Sequence, residues 1–232
     1  MKNKNVLLTG ATGGIGSAIA KLLMLLGYTI YAPIRNLEKA KLIFGENPNI
    51  HFSLVSIESH VDTKSYISGL YKQGIVFDLV ILAAGDFVWD AKFPGQTDDE
   101  KKQNAIDRLM VVNYVTSETV IEALLEECTN LSEVTLVIIS SQAANFEESH
   151  PKRVGEEGYV VSKAKLSALG KRLKESKKFF EVLIEEPALV GTQKAKDEFT
   201  TDTIGATPDW EKEEKKPEEY AEELIREKLS LK

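Results

Sequence analysis

A single cysteine, Cys128, stands in 232 residues, so no disulfide can form within the chain. Histidine is also scarce. His51, His60 and His150 are scattered, with no second ligand at helical or short-loop spacing. No zinc constellation follows, so an acid, if the chain needs one, has to come from a side chain. Long hydrophobic runs are missing too. The longest, Leu22-Leu23-Met24-Leu25-Leu26, falls far short of the roughly 20 residues that span a bilayer. Met1-Lys2-Asn3-Lys4-Asn5 leads straight into an apolar run with no signal segment before it. The expectation is a soluble, reduced, cytoplasmic protein that does not enter membranes. Positive charge is not in excess: 29 Lys and Arg face 36 Asp and Glu, for a net charge of −7. That balance disfavours nucleic acid and anionic membranes as partners. It leaves room for a local site that takes an anionic ligand.

What the chain does have is apolar content, 43%, enough for a sizeable core. Strand-like runs near Asn5–Thr9, Tyr28–Ala32, Ile50–Val55, Asp78–Ala83, Val134–Ser140 and Phe180–Glu185 alternate with helical stretches. The helices are expected near Gly14–Leu26, Leu37–Phe44, Asp62–Gln73, Asp99–Glu127, Gly158–Ser176 and Pro217–Leu229. Apolar strands separated by amphipathic helices imply parallel crossovers, and so an α/β fold with a doubly wound parallel sheet and helices on both faces. The whole chain, 1–232, reads as a single nucleotide-binding and catalytic domain. Two polar excursions, Ala144–Gly158 and Gln193–Trp210, follow strands and belong at the carboxyl edge of the sheet, where open α/β sheets bind ligands.

Directly after the run Val6-Leu7-Leu8 comes Thr9-Gly10-Ala11-Thr12-Gly13-Gly14-Ile15-Gly16. A strand, a glycine-rich turn and a helix make a cradle for phosphates. Glycines let the pyrophosphate approach the main chain, and the helix aims unpaired N–H groups at the anion. Two spacings fit at once, Gly10/Gly14/Gly16 and Gly10/Gly13/Gly16, so the turn alone does not separate sub-branches of nucleotide-binding proteins. Further on, Tyr159-Val160-Val161-Ser162-Lys163 sets a tyrosine and a lysine one helical turn apart on one face. An ammonium there favours the phenolate and makes the tyrosine a usable acid at neutral pH. An amphipathic helix with an edge tyrosine and a solvated lysine would show the same spacing. Ser140-Ser141 ends the fifth strand-like run, where a hydroxyl either faces the ligand crevice or simply forms a turn.

In this order the three features resemble the short-chain dehydrogenase/reductase family, in its compact branch, over about residues 5–229. Leu82-Ala83-Ala84-Gly85 resembles the family's Asn-Asn-Ala-Gly segment, without its asparagines. Asn113, in Val111-Val112-Asn113, matches its active-site asparagine. Pro187-Ala188-Leu189-Val190-Gly191-Thr192 resembles its Pro-Gly-x-Val-x-Thr segment, with Ala188 in place of glycine. The resemblance implies a Rossmann-like sheet in the order 3-2-1-4-5-6, with a seventh strand absent here. It implies hydride transfer between a nicotinamide dinucleotide and a small-molecule carbonyl or alcohol. Tyr159 would give the proton, Ser141 would hold the carbonyl oxygen, Lys163 would lower the tyrosine pKa and hold the ribose, and Asn113 would position a water. Ser141 is favoured over Ser140 because the second residue of the pair matches the family position.

The cofactor would lie against Thr9, Gly10, Thr12, Gly13, Gly14, Ile15 and Gly16, then Ala83, Ala84 and Gly85, with Asn113, Tyr159 and Lys163. Pro187 and Ala188 would lie against it as well, and Thr192 with the backbone around Leu189 and Val190 would hold the carboxamide. After the second strand, Pro33-Ile34-Arg35-Asn36 offers Ile34 where NAD-preferring relatives carry Asp, then a guanidinium that can grip a 2′-phosphate. Arg35, beside Asn36, therefore points to NADP over NAD; the alternative is a surface arginine before a helix capped by Asn36. Ser56 and Ile57 fall where relatives hold the adenine. Phe87, Trp89, Phe93 and Phe146 either line an apolar pocket or anchor their loops. A homodimer is expected through the helices Asp99–Glu127 and Gly158–Ser176, with Ala164, Ser167 and Ala168 permitting close approach. The alternative to an enzyme is an NADP(H)-binding sensor or interaction protein, which the substitutions at Ala83, Ser56 and Ala188 keep open.

Overall fold

Val6 and Leu8 are fully buried and Leu7 is 1% exposed, because strand β1 (Asn5–Thr9) lies inside the sheet and covers residues on both of its faces. Side chains alternate across a strand. Val6 and Leu8 accordingly join one apolar cluster, and Leu7 joins the other. The computed structural model describes residues 4–145, 156–188, 190–199 and 215–231. In chain order the elements are β1, α1 (Gly14–Leu25), β2 (Thr29–Ile34), α2 (Leu37–Phe44), β3 (Ile50–Leu54), α3 (His60–Lys72), β4 (Leu79–Leu82), α4 (Asp98–Met110), α5 (Thr116–Glu127), β5 (Thr135–Ile139), α6 (Glu157–Ser176), β6 (Glu181–Glu185), α7 (Gln193–Phe199) and α8 (Pro217–Glu222).

The strands form one parallel sheet in the order β3-β2-β1-β4-β5-β6. Helix α1 and the C-terminal helix cover one face, where Tyr220, Leu224 and Ile225 join Ile19, Leu23 and Ile30. Helices α3, α5 and α6 cover the other, around Phe77, Val80, Leu124, Leu136 and Leu166. The order reverses direction between β1 and β4, so the carboxyl ends of those two strands open a crevice. No seventh strand is seen among the described residues. The chain instead makes an isolated parallel bridge between Val190 and Lys215 before α8.

Three elements differ from the sequence expectation. The helix expected over Asp99–Glu127 is two helices, α4 and α5, joined by one π turn at Val111–Val115. The polar excursion from Gln193 forms a short helix, α7, where a loop was expected. The helix from Pro217 changes to π geometry at Glu223–Lys228. Phe146, Leu189 and most of both excursions lie outside the described residues. Helices α4 and α6 pack closely: a Cβ on Gly158 would fall 2.7 Å from the Ala105 carbonyl carbon. The expected dimer face is corrected at Ser167, which is 3% exposed and turned into its own chain. No described helix is long and apolar enough to cross a membrane. Among the described residues no cluster of His, Cys, Asp and Glu could hold a metal ion.

Candidate active site

The glycine turn is built by backbone contacts that exclude side chains. Gly10 has φ +70°, and a Cβ there would meet the Ala83 carbonyl oxygen at 2.5 Å. A Cβ on Gly16 would come within 2.2 Å of the Gly10 oxygen. Thr9 and Ala84 tie the ends of β1 and β4 together, with the Ala84 N–H donating to Thr9 Oγ1 at 3.1 Å. Gly13 is different. Among the described residues a Cβ there would meet only the Gly10 oxygen, at 3.2 Å, so the space beside it is open. Helix α1 starts at that point with no side-chain cap and no acidic residue in its first turn. Its first N–H groups lack helical partners by geometry. The start of α1 at Gly14 and Ile15 therefore aims backbone N–H groups into this opening, the arrangement that favours an anion. Thr192 borders it: a Cβ on Gly14 would lie 2.5 Å from the Thr192 methyl.

Past β4, Asn113 organises the backbone. It is fully buried in the π turn. Its Oδ1 accepts from the Asp86 N–H at 2.6 Å, and its Nδ2 donates to the Asp86 oxygen at 3.0 Å and to Ser162 Oγ at 2.9 Å. An asparagine satisfied on both sides in this way fixes the segment after Gly85 against α6. Gly85 permits the arrangement, since a Cβ there would fall 2.9 Å from Asn113 Oδ1 and 3.2 Å from Lys163 Nζ. Lys163 is 5% exposed, donates to the Ile139 oxygen at 3.2 Å, and sits 5.7 Å from the centre of the Tyr159 ring. Burial pulls its ammonium down to about 8, with the Asp86 carboxylate opposing that shift.

The two serines at the end of β5 separate into different environments. Ser140 is 3% exposed; its hydroxyl donates to the Lys163 carbonyl at 3.1 Å and accepts from Ser167 at 2.7 Å. Ser140 therefore holds α6 against the sheet. Ser141 is half-buried at the strand mouth, and its Oγ accepts from the Ala143 N–H at 3.2 Å. Its hydroxyl proton is still available to a ligand.

Tyr159 is gripped by the segment after β4. The Phe87 ring packs edge-on against it at 5.0 Å, and Trp89 packs edge-on against Phe87 at 5.3 Å. Asp90, in a 3₁₀ turn, is 4% exposed and accepts from the Glu157 N–H at 2.9 Å and the Gly158 N–H at 3.3 Å. Helix α6 has no side-chain cap of its own, so Asp90 supplies one from 67 residues away. Sequence reading missed Asp86 and Asp90. The signal for Asp90 was negative, in that Glu156-Glu157-Gly158 contains no Ser, Thr, Asp or Asn to cap the helix with its own side chain.

Burial, with the neighbouring Glu157, raises the Asp90 carboxyl to about 7. A raised carboxylate binds its proton more tightly in the folded state. Its stability contribution is therefore present below about 3.8 and lost as pH rises through about 7. Asp90→Asn mimics the protonated form, and its melting temperature is expected to overtake that of the wild type by about 2–4 °C between pH 5 and pH 8. Parallel melting curves of the two proteins across that range would refute the assignment.

The edge of the crevice past β2 and β3 is more open. Ile34 is buried, while Arg35 and Asn36 are exposed and Asn36 caps α2 by accepting from the Lys39 N–H at 2.9 Å. Ser56 is exposed and Ile57 half-buried. Past β6, the Pro187 oxygen accepts from the Gln142 N–H at 3.1 Å, Ala188 is exposed and Val190 is buried. Thr192 Oγ1 accepts from the Ala195 N–H at 3.1 Å and starts α7. That helix is fastened to the segment after β4: the Trp89 indole donates to the Glu198 oxygen at 3.0 Å, Lys92 pairs with Glu198 at 2.7 Å, and Lys194 pairs with Asp86.

A parallel sheet in this order, with a glycine cradle at its switch point and a Tyr–Lys pair beside it, defines a Rossmann-type nucleotide-binding protein of the oxidoreductase class. The chain belongs to the short chain dehydrogenase family, whose sequence profile matches residues 4–202. Solved structures share the fold. Aldohexose dehydrogenase from Thermoplasma acidophilum superposes with a TM-score of 0.74 at 18% identity, covering 97% of this chain and 86% of that one. ElxO with NADP bound gives 0.77 at 20% identity over 96% and 90% of the two chains. The closed form of serine dehydrogenase complexed with NADP+ gives 0.73 at 18%, over 95% and 87%. A stretch of 76 residues is 29% identical to an uncharacterised chloroplastic protein of Arabidopsis thaliana, spanning 33% of this chain and 27% of that protein.

Proposed function

We propose that this protein is an NADP(H)-dependent reductase or dehydrogenase that interconverts a small carbonyl compound and its alcohol. The observation that carries the reading is the setting of Lys163. An ammonium is buried at the mouth of the crevice, 5.7 Å from the Tyr159 ring and beside the Asn113 turn. Burying a cation is costly and would not persist without a use. When bound, NADPH supplies a hydride to the carbonyl carbon. Thr12 to Ile15 would hold its pyrophosphate, Lys163 its nicotinamide ribose, and Val190 with Thr192 its carboxamide.

The side chains manage the oxygen. Tyr159 donates its phenolic proton to the carbonyl oxygen, and the Lys163 charge stabilises the phenolate left behind. The Ser141 hydroxyl donates a hydrogen bond to the same oxygen as negative charge develops there. Asn113 keeps the π turn and the Asp86 backbone in place around the lysine. Phe87, edge-on to Tyr159, limits the rotation of the ring and gives the substrate an apolar wall.

NADP is favoured over NAD because Ile34 leaves no carboxylate to meet a ribose hydroxyl, and the exposed Arg35 guanidinium can pair with a 2′-phosphate. Titration with NADPH and NADH tests this. Arg35→Ala is expected to weaken NADPH roughly tenfold and leave NADH unchanged, in line with a charge-assisted bond of about 1.5–3 kcal/mol. Tighter NADH binding by the wild type, or no loss in the variant, would refute it. A screen for NADPH oxidation over small ketones, aldehydes, quinones and acyl thioesters tests the activity. Tight dinucleotide binding with no turnover on any of them would favour a sensor.

A further inference from the structure

Glu58 lies just past Ser56 and Ile57, at the adenosine end of the crevice, and two guanidiniums from different elements share its carboxylate. Arg35 Nη1 is 4.0 Å from Glu58 Oε1. Arg108 Nη1, in the last turn of α4, is 3.4 Å from both Glu58 oxygens. The first distance is an ion pair without a hydrogen bond, so Arg35 is held by charge alone. Its side chain is 73% exposed, against 48% for Arg108 and 33% for Glu58, so all three groups reach solvent.

We propose that Arg35, Glu58 and Arg108 form one site for the 2′-phosphate of NADP(H), in which Arg108 is a second cation and Glu58 an internal anion that competes with the phosphate. This rests on the dinucleotide reading given above. Two cations and one carboxylate carry a net charge of +1. A phosphate monoester brings about −1.5 to −2 near neutral pH, so it meets less attraction than the two arginines alone would give. The two guanidiniums converge on one carboxylate, an arrangement that also suits a phosphate dianion. NADH has no group for this site and does not feel the competition. Glu58 thus lowers the discrimination that the arginine pair would otherwise impose. Solvent access and salt keep the effect moderate.

Calorimetric titration of the full chain with NADPH, NADH, adenosine 2′,5′-bisphosphate and 5′-AMP tests this without any substrate. Glu58→Gln is expected to tighten NADPH and the bisphosphate roughly three- to tenfold at low salt and to leave NADH and AMP within about twofold. Arg108→Gln is expected to weaken the same two ligands by a similar factor. Both effects should shrink as salt is raised. Melting temperatures matched to the wild type confirm that the variants are folded. Equal shifts on ligands with and without the 2′-phosphate, weaker NADPH binding by Glu58→Gln, or no selective loss in Arg108→Gln would each overturn the proposal. If the wild type binds neither NADPH nor NADH, the dinucleotide reading fails and this proposal falls with it. Binding of both without a selective shift overturns the role of Glu58 and Arg108 alone.

Discussion

Tyr159→Phe is expected to lower kcat by roughly 10²–10⁴, the usual contribution of a positioned acid, while the NADPH Kd changes by less than about threefold. The asymmetry comes from what the substitution removes. The ring stays, with its edge-on contact to Phe87 at 5.0 Å and its place on α6 behind the Asp90 cap. Only the phenolic oxygen goes, and with it the proton for the carbonyl oxygen. Steady-state rates with the best carbonyl from the screen, beside an NADPH titration and a melting curve, separate the outcomes. A variant that binds NADPH and still turns over at the wild-type rate would remove Tyr159 from the chemistry. A variant that loses NADPH binding as well would make the residue part of the cofactor site and not the acid.

Lys163→Met should abolish turnover and stabilise the fold in the same protein. The ammonium is 5% exposed, and burial has pulled it from 10.5 to about 8. A lysine with a depressed pKa binds its proton less tightly when folded than when unfolded. The resulting penalty is therefore full below about 8 and disappears as pH rises past 10.5. At 1.36 kcal/mol per pKa unit the shift corresponds to an upper bound of about 3 kcal/mol. Methionine fills much of the same volume without the charge, and gives up one hydrogen bond to the Ile139 oxygen. A gain of about 1–3 kcal/mol is expected at pH 7, read as a rise of roughly 2–4 °C in melting temperature per kcal/mol. The gain should shrink towards pH 10. A less stable Lys163→Met at pH 7 would show that the ammonium holds the fold and is not a cost accepted for function.

Much of the site was readable because its signals are local. The glycine turn follows from a strand, a spacing and a helix start, and the contacts at Gly10 and Gly16 leave no room for a side chain. The Asn36 cap and the parallel crossovers follow from patterns of a few residues each, while the strand order followed from the family resemblance. The π turn was not readable. Val111-Val112-Asn113-Tyr114-Val115 looks like ordinary apolar helix, and its distinguishing partners, Asp86 and Ser162, are 27 and 49 residues away from Asn113. Helix α7 escaped notice because it docks through polar links to Trp89, Lys92 and Asp86 and shows no apolar stripe. Ser140 and Ser141 are identical residues in sequence. The family position favoured Ser141, and the closeness of Ser167 and the Lys163 carbonyl to Ser140 gives the physical difference between the inward serine and the one at the strand mouth.

By itself the sequence determined the fold class and the residues from which a site could be made, because periodicity, turn chemistry and capping act over a few positions; the strand order came with the family resemblance. The tertiary structure alone decided how those residues are held. Asp90 caps the helix of Tyr159, Asn113 clamps the Asp86 backbone, and Arg35 shares a carboxylate with Arg108. Each of these is a contact between distant segments, and its geometry exists only once the sheet has brought its carboxyl edge together.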